Sequence, residues 1–130
     1  MAKILLIEDD PQHTMLAKLR LESEGFEVVS AKTGAESVAA ASLAPDLILL
    51  DLILPDIGPL EMIKALRAVP AAASTPIVVF SVMDYYEIHR KGLEPEIAGL
   101  IPKPYDTVEM LEEIHRVLKE YALKPEVRSY

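Results

Sequence analysis

Leu47-Ile48-Leu49-Leu50 runs apolar without alternation into Asp51, and this run most narrows what the chain can fold into. A half-exposed strand or an amphipathic helix would interrupt it with polar residues, so a run that never alternates reads as a strand buried on both faces. Ala44-Pro45 on one side and Pro55 on the other bar a helix from passing through. A strand covered on both faces belongs in a parallel sheet flanked by helices, where ligands gather at the carboxyl ends of the strands. Asp51 stands at such an end. Taken alone, it is as readily a turn cap as a reactive acid.

The rest of the chain fits the same scheme. Lys3 to Ile7 is a second apolar run, ending in Glu8-Asp9-Asp10, and Pro11 opens a helix with Asp10 as N-cap that runs to about Glu24 and stops at Gly25. Met15, Leu16, Ala17, Leu19 and Leu21 do not share one stripe of it, so some of them must face outward. Phe26 to Ala31 reads as a strand, and Thr33-Gly34 turns into an alanine-rich helix from about Ala35 to Ser42. Pro59 opens the next helix, with Leu60, Ile63, Ala65 and Leu66 at helical spacing, and Pro70 closes it before a loop from Ala71 to Thr75.

Pro76 to Phe80 is a further buried strand ending in Ser81, and Asp84 to about Lys91 a short helix ended by Gly92. Ile97 to Ile101 is the last strand, followed by Pro102-Lys103-Pro104. Asp106 with Glu109 has the reciprocal capping pattern and opens a helix whose core face is Val108, Leu111, Ile114, Leu118 and Tyr121. Strands alternating with helices in this way predict an α/β fold, a three-layer sandwich with a five-stranded parallel sheet and five helices. Right-handed crossovers bring every strand's carboxyl end to one edge.

That edge then collects Glu8, Asp9 and Asp10 after the first strand, Asp51 after the third, Ser81 after the fourth and Lys103 after the fifth. Carboxylates crowded together repel, and a hard divalent cation with oxygen ligands relieves them; magnesium, which keeps several waters and pairs with phosphate, is the natural candidate. His13, His89 and His115 do not stand at strand ends, which argues against a zinc or iron site. Asp51 could then attack phosphorus as a carboxylate nucleophile, with Ser81 and Lys103 binding the phosphoryl oxygens. Each residue has a plain structural role too, as cap, strand terminator or solvated charge, and it is the joint placement that points to chemistry.

Length, charge and residue usage bound the rest. The 130 residues suit one domain, residues 1–124, with 125–130 as a C-terminal tail. The absence of cysteine excludes disulfides, thiolate catalysis and cysteine-ligated metals. No apolar run is long enough for a membrane span and no signal-peptide pattern opens the chain, so a cytoplasmic protein without membrane contact is expected. A net charge of −8 disfavours direct nucleic-acid binding and favours a cation or a cationic partner surface.

Over essentially its whole length the chain resembles the receiver domains of two-component response regulators. Ile7-Glu8-Asp9-Asp10-Pro11, Asp46 through Asp51 with Pro55, Ser81 and Lys103-Pro104 carry the likeness. The resemblance implies a flavodoxin-like doubly wound sheet with strand order 2-1-3-4-5. It also implies Asp51 as phosphoacceptor, Glu8, Asp9, Asp51 and the Ile53 backbone carbonyl as magnesium ligands, Ser81 as switch hydroxyl, and Lys103 contacting the phosphoryl group before a cis bond to Pro104. The partner it implies is a histidine kinase or phosphotransfer protein, and it admits a homodimer through the face of the fourth and fifth helices. Such a domain is no turnover enzyme; at most it catalyses its own phosphotransfer and dephosphorylation.

Several positions depart from the family pattern. Ile57-Gly58-Pro59 replaces the usual Asp-Gly of the central loop, Val82 replaces a small residue after the switch hydroxyl, and Leu100 stands where an aromatic switch is usual. Pro95-Glu96-Ile97 replaces an Ala-Gly-Ala-like segment, and Pro102 adjoins the lysine. These support a second reading, a pseudo-receiver that keeps the fold and works as a phosphorylation-independent docking module. A third, an aspartate-nucleophile phosphatase, lacks the usual second acid, since the position two beyond Asp51 is Ile53. Tyr85, Tyr86 and Tyr105 read either as a docking face or as half-buried tyrosines, with the second favoured for each. No further domain pattern follows residue 124, which leaves open a stand-alone shuttle, a docking partner or a piece of a longer regulator.

Overall fold

The chain folds as the apolar runs dictate, into five parallel strands in the order β2-β1-β3-β4-β5. The computed structural model describes residues 2–82 and 84–122, so the tail expected from residue 125 lies outside the described residues. The elements are β1 (Lys3–Ile7), α1 (Pro11–Ser23), β2 (Glu27–Ala31), α2 (Gly34–Ala41), β3 (Leu47–Leu50), α3 (Pro59–Arg67), β4 (Ile77–Ser81), α4 (Tyr85–Arg90), β5 (Gly99–Pro102) and α5 (Thr107–Ala122). Among the described residues, no helix is long and apolar enough to cross a membrane.

Alternation of side chains along the strands splits the interior into two cores. Ile4 and Leu6 of β1, Leu47 and Leu49 of β3, and Val78 and Phe80 of β4 meet Ala17 and Leu21 of α1 and Met110, Ile114 and Val117 of α5. Leu5, Ile7, Ile48, Leu50, Ile77 and Val79 point the other way, onto Ala41 of α2, Met62, Ile63 and Leu66 of α3 and Ile88 of α4. Because β1, β3 and β4 are buried on both sides, each such Leu, Ile or Val contributes roughly 1.5–3 kcal/mol by leaving water. This explains why their sequences have no polar alternation.

Local chemistry sets the helix ends. Asp10 accepts from the Gln12 and His13 N–H groups and Pro11 occupies the first turn of α1, as the sequence suggests. Thr33 caps α2 through Glu36 N–H, Asp84 caps α4 through Glu87 N–H, and Asp106 accepts from Glu109 N–H at the start of α5. Asp56, in the loop after β3, adds a second tie at α2, accepting the Gly34 N–H with both oxygens at 3.0 Å.

Four expectations need correction. The core face of α5 is Met110, Ile114 and Val117, with Leu111, Leu118 and Tyr121 on its margins, and Val108 is 65 % exposed. Val108 lies two residues before Met110, about 200° around the helix, and so points away from the sheet. The fifth strand begins at Gly99 rather than Ile97, because Glu94–Glu96 forms a 3-10 turn around Pro95 and only Ala98 N–H reaches Ile77 O, at 2.7 Å. The loop expected from Ala71 likewise begins as a 3-10 turn over Pro70–Ala72. Of the three tyrosines, Tyr105 is half-buried, whereas Tyr85 and Tyr86 are exposed.

Helix α5 is fastened to β5 through backbone groups. Glu113 Oε2 accepts from Leu100 N–H at 3.1 Å, while Arg116 bonds Glu113 and donates to Ala98 O at 3.1 Å. Gly99 leaves the room for this pair, since a Cβ there would overlap Glu113 Oε2 and come within 3.2 Å of Arg116 Nη2. Gly99→Ala is therefore expected to push the pair off the strand and cost about 1 kcal/mol of unfolding free energy in urea titration.

Candidate functional site

The ladder register assembles the site. Ile7 of β1 pairs with Leu50 of β3, so the residues that follow each, Glu8 and Asp51, become neighbours. Glu8 N–H still donates to Ala31 O and Asp51 N–H to Ile7 O, both at 3.0 Å, which fixes the two acids by their backbones. Ser81 pairs with Pro102, and Lys103 N–H donates to Ser81 O at 3.0 Å, bringing the lysine back over the sheet. The Lys103–Pro104 peptide is cis.

The side chains converge on a charged network. Glu8 is 1 % exposed, Asp51 6 % and Ser81 0 %, while Asp9 faces solvent. Lys103 Nζ donates to Glu8 Oε1 at 2.6 Å and to Asp51 Oδ2 at 3.1 Å, and rests over the Phe80 ring, 4.9 Å from its centroid. Asp51 Oδ1 accepts from Ile53 N–H at 3.0 Å, and Glu8 Oε2 from Asp9 N–H at 3.1 Å. Glu8, Asp9 and Asp51 bring one carboxylate oxygen each within 4.8 Å of one another.

One lysine does not balance these acids. Burial above all, then the adjacent Asp51, pushes the Glu8 carboxyl up to about 7, with Lys103 only partly opposing the rise. Burial works against the charge on Lys103 as well, but its bonds to Glu8 and Asp51 outweigh that and raise its pKa. An oxygen-only cluster with uncompensated negative charge fits a hard divalent cation such as magnesium. A carboxyl that holds its proton more tightly when folded favours the native state at low pH, and that contribution is lost as pH climbs from 4.5 to about 7. Without divalent metal, the unfolding free energy of Glu8→Gln relative to wild type should therefore shift in the variant's favour across this window, by roughly 3 kcal/mol. Denaturant titrations at several pH values measure it.

His13 does not stand at a strand end, yet the structure brings its side chain into the site. Its ring reaches back from the first turn of α1 to Glu8, with Nδ1 2.5 Å from Oε1. It packs against Phe80 and Tyr105 at centroid distances of 5.3 Å and 5.5 Å. Burial first, then the nearby Lys103, lowers its pKa and so favours the neutral ring. The available signal was its place in the first turn of a helix that starts at the carboxyl edge. Leu100 is half-buried with its N–H held by Glu113, and Val82 is 66 % exposed.

Comparison with known proteins agrees with this geometry. The family model of the response regulator receiver domain matches residues 4–115. The chain is 30% identical over 131 residues to the DNA-binding dual master transcriptional regulator RpaA of Synechocystis, covering 100% of this chain and 54% of that protein. It is 35% identical over 118 residues to the cell cycle transcriptional regulator CtrA of Caulobacter vibrioides, covering 90% and 50% respectively. The chain thus spans about half the length of the curated relatives it matches. Among solved structures, the chemotaxis protein CheY4 of Vibrio cholerae superposes with a TM-score of 0.82 at 29% identity, covering 90% of this chain and 98% of that one.

Proposed function

Since the chain belongs to the response regulator receiver domain family of two-component systems, we propose that it accepts a phosphoryl group onto Asp51 from a histidine kinase or phosphotransfer protein. Glu8, Asp9 and Asp51 would hold magnesium together with the Ile53 carbonyl. The observation that carries this reading is the convergence of Glu8, Asp9, Asp51 and Lys103 at one edge of the sheet.

The residues divide the work by geometry. Ile53 N–H holds Asp51 Oδ1, which leaves Oδ2 as the attacking atom once Lys103 releases it. Oδ2 forms the new bond to phosphorus while the bond from phosphorus to the donor's nitrogen breaks, the electron pair leaving with the nitrogen. Lys103 follows the charge onto a phosphoryl oxygen, and the Ser81 hydroxyl binds another. Bound magnesium supplies charge neutralisation for the acids and the transferring group. Phosphate then changes which partner the domain binds. Met15, Leu16 and Leu19 on α1 are exposed, Leu16 lining a hollow with His13, Lys103 and Tyr105, and they offer a kinase helix an apolar face.

Incubation with magnesium and a small acyl phosphate, followed by intact-mass measurement, tests the reading. One phosphate should be added, and none when magnesium is chelated. Failure to form the adduct with magnesium present would favour the docking-module reading, which the exposed Val82 and the non-aromatic Leu100 support. In that case partner binding would be indifferent to both Asp51 and magnesium.

A further inference from the structure

Building on the reading of Glu8 as a metal ligand, we propose that His13 is a positioning residue that fixes the Glu8 carboxylate for the divalent ion. Glutamate has one more side-chain torsion than aspartate, so at a metal site it needs more to hold it. Three donors surround the Glu8 carboxylate: Asp9 N–H on Oε2 at 3.1 Å, and Lys103 Nζ at 2.6 Å with His13 Nδ1 at 2.5 Å on Oε1. A carboxylate has about four lone-pair sites, so these donors leave one open, on Oε2. That oxygen is the one next to Asp9.

Lys103 cannot be the lasting hold on Oε1. It is shared with Asp51 at 3.1 Å and is the group that turns to the phosphoryl oxygens. When it does, His13 is the remaining donor to Oε1 among the described hydrogen bonds. The imidazole is suited to stay, because the Phe80 and Tyr105 rings pack against it and the first turn of α1 fixes its backbone. With Glu8 ionised as a metal ligand, the neutral imidazole serves it as a donor by carrying its proton on Nδ1. Hydrogen-bond partners of metal ligands acting in this way typically contribute 10–100-fold in affinity.

Two substitutions separate the hydrogen bond from the packing. His13→Phe keeps a ring between Phe80 and Tyr105 but loses the donor, whereas His13→Asn places an amide N–H near the Nδ1 position and loses the ring. Calorimetric titration of magnesium chloride into the metal-free proteins reads the effect directly. The expected result is a dissociation constant raised about tenfold or more by His13→Phe and close to wild type in His13→Asn. Equal or tighter binding by His13→Phe would overturn the inference alone, as would an Asn variant as weak as Phe. A wild type that takes up no magnesium would overturn the metal reading and this inference with it.

Discussion

Asp51→Asn is expected to abolish phosphate incorporation while leaving the fold in place. The substituted amide keeps its Oδ1 bond from Ile53 N–H and the backbone bond to Ile7 O, so nothing in the β3 ladder is lost. What disappears is the anionic Oδ2, replaced by an N–H2 group that cannot attack phosphorus and now faces the Lys103 ammonium, donor against donor. Lys103 should turn wholly to Glu8, and removal of the Asp51 charge relieves one of the causes of the raised Glu8 pKa. Intact mass after exposure to an acyl phosphate should therefore show no adduct, alongside a near-native melting transition. An adduct that persists in the variant would place the phosphate elsewhere and defeat the assignment.

Lys103→Met should have the largest effect on stability. The methionine stem keeps the contact with Phe80 but removes the cation that bridges Glu8 and Asp51. Deleting one partner from a buried ion pair leaves the other uncompensated, and the loss should reach about 3 kcal/mol at neutral pH without metal. Acidification reduces it, because Glu8 takes up a proton; magnesium reduces it too, because a cation again faces the same oxygens. Denaturant titrations at neutral and acid pH, with and without magnesium, check all of this. A loss independent of both pH and magnesium would mean that packing, not charge, is what the lysine contributes.

How far the sequence reveals this architecture depends on what holds each part. The doubly buried strands are legible because burial on both faces leaves no room for polar alternation, as at Leu47 to Leu50. Helix starts are legible because their caps are local: Asp10, Asp84 and Asp106 each bond N–H groups two or three residues ahead. Glu8, Asp51 and Lys103 could be gathered on paper once the sheet was known to be parallel, since strand ends then share an edge. Where the outcome depends on packing across the fold, the sequence is less informative. Val108 keeps a three-residue step with Leu111, yet the sheet selects the stripe through Met110, Ile114 and Val117. The start of β5 depends on the turn that Pro95 imposes and on register with Val78. His13 belongs to the site only because its side chain reaches back along the helix to Glu8, a distance that counting residues from strand ends does not measure.

The attachment of α5 to β5 has a mechanical consequence. Glu113 and Arg116 grip the N–H of Leu100 and the carbonyl of Ala98, groups that any residue but proline provides at position 100 and any residue at all at position 98. The joint is thus indifferent to side-chain identity at both positions. Strand and helix are pinned together with Lys103 just past the strand's end, a physical link from that lysine to α5 that needs no aromatic ring at residue 100.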